Sequence, residues 1–394
     1  MRRHRTHTAL AAAAAILLLS AAPARASDFG AALSLAPKLS QEGFSLTVMA
    51  NPWFSALIGE TGEFYLSGIV KLETTFESAT LLLDLGRSQV KLRPAPGTSW
   101  EFGRMSFADE SGFVASGLLD GARWTGSLGD LGASASLFYT GLLNKKSAEI
   151  ALTAADGADF LDPDRFFAPS RLLAVFSAGF RNPPAFFSRL SAQAIGQFDL
   201  RGGSDTLHSQ YLTLTAGMPA GDAFGFEAIV AAALAERSGE DPAFHAAGAL
   251  QASWDPPGAL KDQAYLGLRA AAGASGGFPN ITSLEQGSVF TPGPSGLASV
   301  RIGYTARPGA AVSADVRAVG FLRFSEGGPA DADLDPGSDA AWLGAELYSS
   351  LTWTPFSDLS VLAGAGIFLP ASGGAFLPDT PARWLVSAAA VLSL

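Results

Sequence analysis

The chain has no cysteine. That excludes disulfides, cysteine metal sites and a lipid-modified N-terminal cysteine. Beyond residue 26 there is no apolar run long enough for a membrane helix, which needs about 20 residues. Charged residues make up only 16% of the chain. Histidine is nearly absent: past residue 26 only His208 and His245 remain. No phosphate loop, metal-spaced cluster or serine-hydrolase motif stands in the sequence, so neither an enzyme nor a cofactor is expected. "NIT" at 280–282 matches a glycosylation acceptor, a short match that decides nothing.

The first 26 residues, "MRRHRTHTALAAAAAILLLSAAPARA", read as a secretory signal peptide. Arg2, Arg3 and Arg5 precede an apolar run, and Ala24 and Ala26 give the small-x-small pair that a signal peptidase accepts. Cleavage there leaves residues 27–394 as a single domain. The mature part holds 22 basic and 36 acidic residues, a net charge of −14, which argues against a nucleic-acid partner.

The mature sequence alternates. In "RLSAQAIGQFDL" (189–200), Arg189, Ser191, Gln193, Gln197 and Asp199 form one set, with Ile195 its only apolar member. Leu190, Ala192, Ala194, Gly196, Phe198 and Leu200 form the other. The same period of two recurs at 298–306, 313–324 and 341–354, with Val319 and Phe321 breaking the polar side of 313–324. Such runs are longer than the roughly 5–6 residues of an average soluble strand and match the roughly 9–11 of a membrane strand. Short turns rich in Pro, Gly and Asp (127–132, 181–186, 218–224, 255–262, 306–311, 354–359) alternate with longer polar loops at about 143–170, 201–207, 236–243, 274–294, 325–340 and 370–381. Phe180, Phe186, Phe187, Phe224, Phe226, Trp254, Tyr304, Trp353 and Phe356 lie beside the short turns, as a headgroup-level girdle would.

The expectation is all-β: a transmembrane up-and-down antiparallel β-barrel of about 18 strands, or 16 if the first two stay outside the wall. It predicts a bacterial outer-membrane location, contact with lipid and lipopolysaccharide-like glycolipid, and both termini on the periplasmic side. The segment 105–118 and the long loops, assigned to the outside, hold 18 acids against five bases. Arg123, Arg189, Arg269, Arg301, Arg317, Arg323, Asp315 and Glu346 fall on the polar face and become candidate solute contacts in a wet lumen. Arg269, Arg301 and Arg317 lie on successive strands and could form a basic ladder. "DADLDPGSD" (331–339) places Asp331, Asp333 and Asp335 at alternate positions, a candidate for loose divalent-cation binding; Pro336 and Trp342 stand where an EF-hand loop needs glycine and glutamate.

Three stretches resemble a known family. "WEFGRMSFADESGFVASGLLDGARW" (100–124), "LGAELYSSLTWTPFSDLSVLAGAGIF" (343–368) and the terminal "RWLVSAAAVLSL" (383–394) are similar to alginate-export-type and related substrate-specific porins. Met105 and Leu394 stand where that family usually has Gln and Phe. The resemblance implies a channel for an organic solute or an exported polymer, with Arg104 near the lumen. It also implies that 383–394 engages the barrel-assembly machinery. Alternatives are a structural or adhesive barrel plugged by its own loops, 143–170 being long enough to fold inward, and, more remotely, a barrel enzyme.

Overall fold

The computed structural model describes residues 27–202, 205–258, 261–272, 277–323 and 331–394. The expected signal peptide, Phe324 and Glu326 lie outside the described residues. Eighteen strands are present among the described residues. They are β1 (Ser27–Ser40), β2 (Gly43–Ile58), β3 (Gly62–Thr75), β4 (Ala79–Ala95), β5 (Thr98–Ala108), β6 (Ser116–Leu128), β7 (Leu131–Tyr139), β8 (Arg171–Phe180) and β9 (Arg189–Asp199). There follow β10 (Leu207–Ala220), β11 (Phe224–Arg237), β12 (Ala243–Trp254), β13 (Gln263–Ala272), β14 (Leu297–Gly309), β15 (Val312–Arg323), β16 (Trp342–Phe356), β17 (Leu359–Pro370) and β18 (Arg383–Ser393). Two short helices, α1 (Lys145–Ala148) and α2 (Ala154–Leu161), interrupt the β7–β8 connection.

Each strand pairs antiparallel with the next, and β1 pairs with β18 from Ala32↔Ser393 to Ser40↔Leu385. Ala31 and Leu394 exchange two backbone hydrogen bonds of 3.0 and 2.8 Å across that joint. The wall is therefore a closed ring of 18 strands, not 16, and β1 and β2 belong to it. Closure matters because an open edge in hydrocarbon leaves N–H and C=O groups unpaired.

The alternation sorts as the sequence reading expected. Leu81, Leu83, Leu212, Leu214, Val230, Ile302, Val316 and Leu351 are large, apolar and exposed on the outside of the ring. In a globular protein so many would be buried; here they form the apolar band of a membrane barrel. Phe224 stacks on Trp254 with ring centroids 6.2 Å apart, and both are exposed beside short turns. Gln193, Gln197, Asp199 and Glu346 point inward and are buried.

The residues that broke the alternation explain themselves. Ile195, Val319 and Phe321 face inward and are almost fully buried. Loops folded into the lumen cover them, so the barrel has cores inside it. Ile195 joins Met105, Phe113, Phe138, Leu173, Tyr211, Phe278 and Ile281 in one. Val319 and Phe321 join Phe290, Leu343, Phe368 and Phe376 in another, where Phe290 stacks on Phe368 at 4.4 Å. One expectation is corrected: 105–118 is not an external loop. β5 runs to Ala108 and β6 resumes at Ser116, so the connection is only 109–115, and it points into the lumen.

Candidate solute passage

Three connections meet inside the long-loop end of the barrel. The first, 109–115, is rigidified by Asp109, whose carboxylate accepts backbone N–H groups from Ser111 (2.9 Å), Val114 (3.1 Å) and Ala115 (2.9 Å). It is tied to β9, where Gln193 Oε1 accepts from the Glu110 amide at 3.0 Å and Arg189 pairs with Glu110 at 3.3 Å. The third, 277–296, crosses to it: the Ile281 amide donates to Val114 O at 2.6 Å, and Tyr211 OH donates to Pro279 O at 2.5 Å.

The second connection carries α1 and α2. α2 begins with a reciprocal capping box between Thr153 and Asp156. Asp156, fully buried, pairs with Arg171 at 2.8 Å and with Arg201 at 2.8 Å. Asp199 pairs with the same two arginines at 3.1 and 2.7 Å. Two carboxylates against two guanidiniums make a balanced buried square, the condition under which buried charge is tolerated. No periodicity in the sequence pointed to this network, because two of its members sit in loops.

Opposite these loops stand Arg269, Arg301 and Arg317, one on each of β13, β14 and β15. In register Gly267 faces Arg301, and Gly303 faces Arg317, so the three guanidiniums step diagonally along the wall. Each leans on a loop. Arg269 Nη2 donates to Gly112 O at 2.8 Å, and its guanidinium lies 4.4 Å from the Phe113 ring centroid. Arg301 Nη2 donates to Gln286 O at 2.6 Å. Arg317 Nη2 donates to Ser288 Oγ. All three line one cavity of about 300 Å³ with Tyr265, Glu227, Glu285 and Gln286. The buried Nε atoms of Arg269 and Arg301 have no hydrogen-bond partner among the described residues. Those Nε atoms are closed off from the cavity, so what the three side chains offer a solute is the positive charge of their guanidiniums.

The other expected contacts separate. Asp315 lines a different cavity, of about 580 Å³, at the short-turn end with Asp255, Lys261, Asp262 and Arg307. Glu346 accepts the backbone N–H groups of Ser288, Val289 and Phe290 at 2.8, 2.9 and 2.9 Å, so it holds the third loop. Arg323 donates to the carbonyls of Ser338 and Ala340 and likewise anchors a loop. Arg123 lies 3.6 Å from Glu101 and donates to Ser106 O at 2.9 Å. Arg189 remains half-exposed between Glu110 and Glu227. Arg104 is buried away from the main passage, bound to Asp84 and Asp120.

In the acidic stretch at 331–335, the candidate for loose divalent-cation binding, the carboxylates have partners within the protein. Arg383 pairs with Asp331 at 2.7 Å and with Asp333 at 2.9 Å, while Asp335 accepts the Gly337 amide at 2.9 Å. The Arg383 guanidinium thus offsets part of the negative charge of this stretch. Burial alone would raise the Asp331 pKa, but bonds from Arg383 and from the Asp333 amide outweigh it and hold it low. What the sequence reading missed in the passage is Ser111, Glu285 and Gln286, all on loops and unmarked by any motif.

No protein-family model matches the chain, of alginate-export type or any other, and no curated protein matches it. Solved structures do. The outer membrane protein OpdK of Pseudomonas aeruginosa is 13% identical, with 94% of this chain and 99% of that one covered at a TM-score of 0.62. OccK5 (OpdH) of the same organism is 12% identical, over 95% and 99% of the two chains, at 0.62. OccK2 (OpdF), in complex with glucuronate, is 13% identical, over 93% and 98%, at 0.61. At such low identity the likeness establishes the fold alone: this chain is built, as they are, as a closed 18-stranded antiparallel β-barrel.

Proposed function

We propose that the protein is an outer-membrane channel admitting small organic anions, with Arg269, Arg301 and Arg317 as its guiding contacts. The observation that carries this reading is the ladder itself: three guanidiniums on consecutive strands border one cavity. Inside a low-dielectric wall such a row attracts carboxylates while the loop carbonyls keep it from collapsing. Vanillate and glucuronate, present in structures of the similarly built OpdK and OccK2, are both carboxylates. A cavity of about 300 Å³ suits a small solute better than the exported polymer of the alginate-export type. Residues 1–26 serve as the export signal on this reading, the outer band meets lipid and glycolipid, and 383–394 is the strand offered to the assembly machinery. The protein acts without a cofactor and is not an enzyme.

The double substitution R301E/R317E is expected to move ion selectivity toward cations. Reversal potentials in planar bilayers under a salt gradient check it, and an unchanged potential rejects the assignment. A barrel sealed by its own loops is the second reading; a wild-type protein that folds and inserts but carries no current would establish it.

A further inference from the structure

In a closed barrel each strand has a neighbour on both sides, yet one stretch of wall here lacks one. β4 pairs with β3 from Ala79 to Leu92 but with β5 only from Ser88 to Ala95. Among the described residues no strand pairs with 79–87 on the β5 side. The cause is the β5–β6 hairpin. Its last pairs with its two neighbours are Ser88↔Arg104 and Asp120↔Tyr139, and both adjoin the Gly103↔Gly121 pair. Gly103 has φ +113°, a conformation that favours glycine. A Cβ on it would lie 2.2 Å from Ser88 O, and one on Gly121 2.0 Å from Leu137 O. Beyond this glycine pair the hairpin leans into the lumen and leaves a gap in the wall.

Arg104 spans the lower end of the gap. It donates to Leu85 O on β4 at 2.8 Å and to Leu142 O on the far side at 3.0 Å, while pairing with Asp84 and Asp120 at 3.2 and 2.9 Å. The Leu85 amide is taken by Asp84 Oδ1 at 2.8 Å. Further along the edge stand Leu83 and Leu81, whose side chains lie exposed in the apolar band. Open backbone groups there are costly against hydrocarbon. Behind the edge is a cavity of about 480 Å³, with Leu85, Phe107 and Leu143 on its apolar part and Ser106, Ser116 and Ser147 on its polar part. Leu85 faces out of the barrel and Asp84 into it, so this space reaches around the edge of β4. The charged groups of the lining, Asp84 and Arg104, pair with each other, so no cation is left over for an anionic guest.

We propose that this gap is a lateral binding site for an uncharged amphiphile, an apolar chain bearing an amide or hydroxyl head, which enters from the bilayer and not from the mouth. The chain lies along Leu85, Phe107 and Leu143. The head, both donor and acceptor, meets the serine hydroxyls and the open edge of β4. The site stands apart from the arginine ladder, and its failure would leave that passage intact.

The test uses the whole protein in liposomes with three diazirine-bearing probes: neutral N-decanoylethanolamine, anionic N-decanoylglycine and a phosphatidylcholine. After irradiation, labelled peptides are mapped by mass spectrometry. The neutral probe is expected to label 104–120 and 142–148 in preference to the other two. S106W, which fills the cavity from an exposed position, should suppress that labelling severalfold, and S349W, on the outer wall of β16, should not. If S106W fails to run as a folded barrel in cold detergent gels, S147F fills the same space from the loop side. Equal labelling by all three probes, labelling untouched by either filling variant, or no label at the gap would each overturn the proposal. So would crosslinking of the β4 edge to a second polypeptide strand.

Discussion

Glu285 shares the ladder's cavity with Arg269 and Arg301, and it gives the passage a titratable element. Burial first, and then the neighbouring Glu149 carboxylate, push its pKa above the ordinary carboxylate value. It therefore takes up a proton at a higher pH than an exposed glutamate does. As pH falls through that raised value one negative charge leaves the cavity while its arginines stay charged. Anion preference should rise from neutral pH to mild acid, read as a shift of reversal potential. E285Q should show the acid-side selectivity at every pH. A wild-type potential that stays flat with pH would remove Glu285 from the passage. The arginines it works against were legible in the sequence, since alternation assigns each to a face. Glu285, Gln286 and Ser111 were not, because a loop has no period and its residues reach the passage only through tertiary folding.

Strands were the most legible elements. Hydrophobic alternation and Pro/Gly/Asp turns mark about eighteen, with only the place of the first two in the wall left open, because in a membrane barrel each strand must keep one face for lipid over its whole span. Even the exceptions were informative: Ile195, Val319 and Phe321 mark where loops pack inside. The inward lean of the β5–β6 hairpin was not legible. Its strands run on to Ala108 and Ser116, and its local marks are slight: Arg104, buried on the parity of the outward Trp100 and Phe102, and two glycines, 103 and 121, far apart in sequence but paired in register. G103A tests that joint. Its positive φ and its 2.2 Å approach to Ser88 O should together cost more than the about 1–3 kcal/mol of backbone strain alone. Gly129 is the control: its φ is +63°, but a Cβ there meets nothing within 4 Å, so G129A should cost about 1–2 kcal/mol from conformation alone. Urea unfolding of both variants in detergent measures the difference, and equal losses would show that the close approach at Gly103 carries no energy.

At the scale of the whole molecule, charge and grease are sorted by radius. Many mouth acids lie against basic partners, as Asp331 does with Arg383 and Asp156 with Arg171 and Arg201. The outer wall is Leu, Val, Ile and aromatic. Such a surface is stable only where hydrocarbon covers it. β14 supplies a comparison within a few residues: Ile302 is 60% exposed on the outside, and Thr305, three positions on, lines the cavity at the short-turn end. The substitution I302R places a charge near the middle of the strand facing lipid, where arginine costs about 2–4 kcal/mol in barrels of this kind. T305R places the same charge in wet space, where its head stays hydrated and should cost little. Folding into phospholipid vesicles under a urea series separates the two, with I302R shifted and T305R near wild type. If both variants lost stability equally, or T305R lost more, the outward face would be covered by something other than lipid, and the placement of every inward arginine would fall with it.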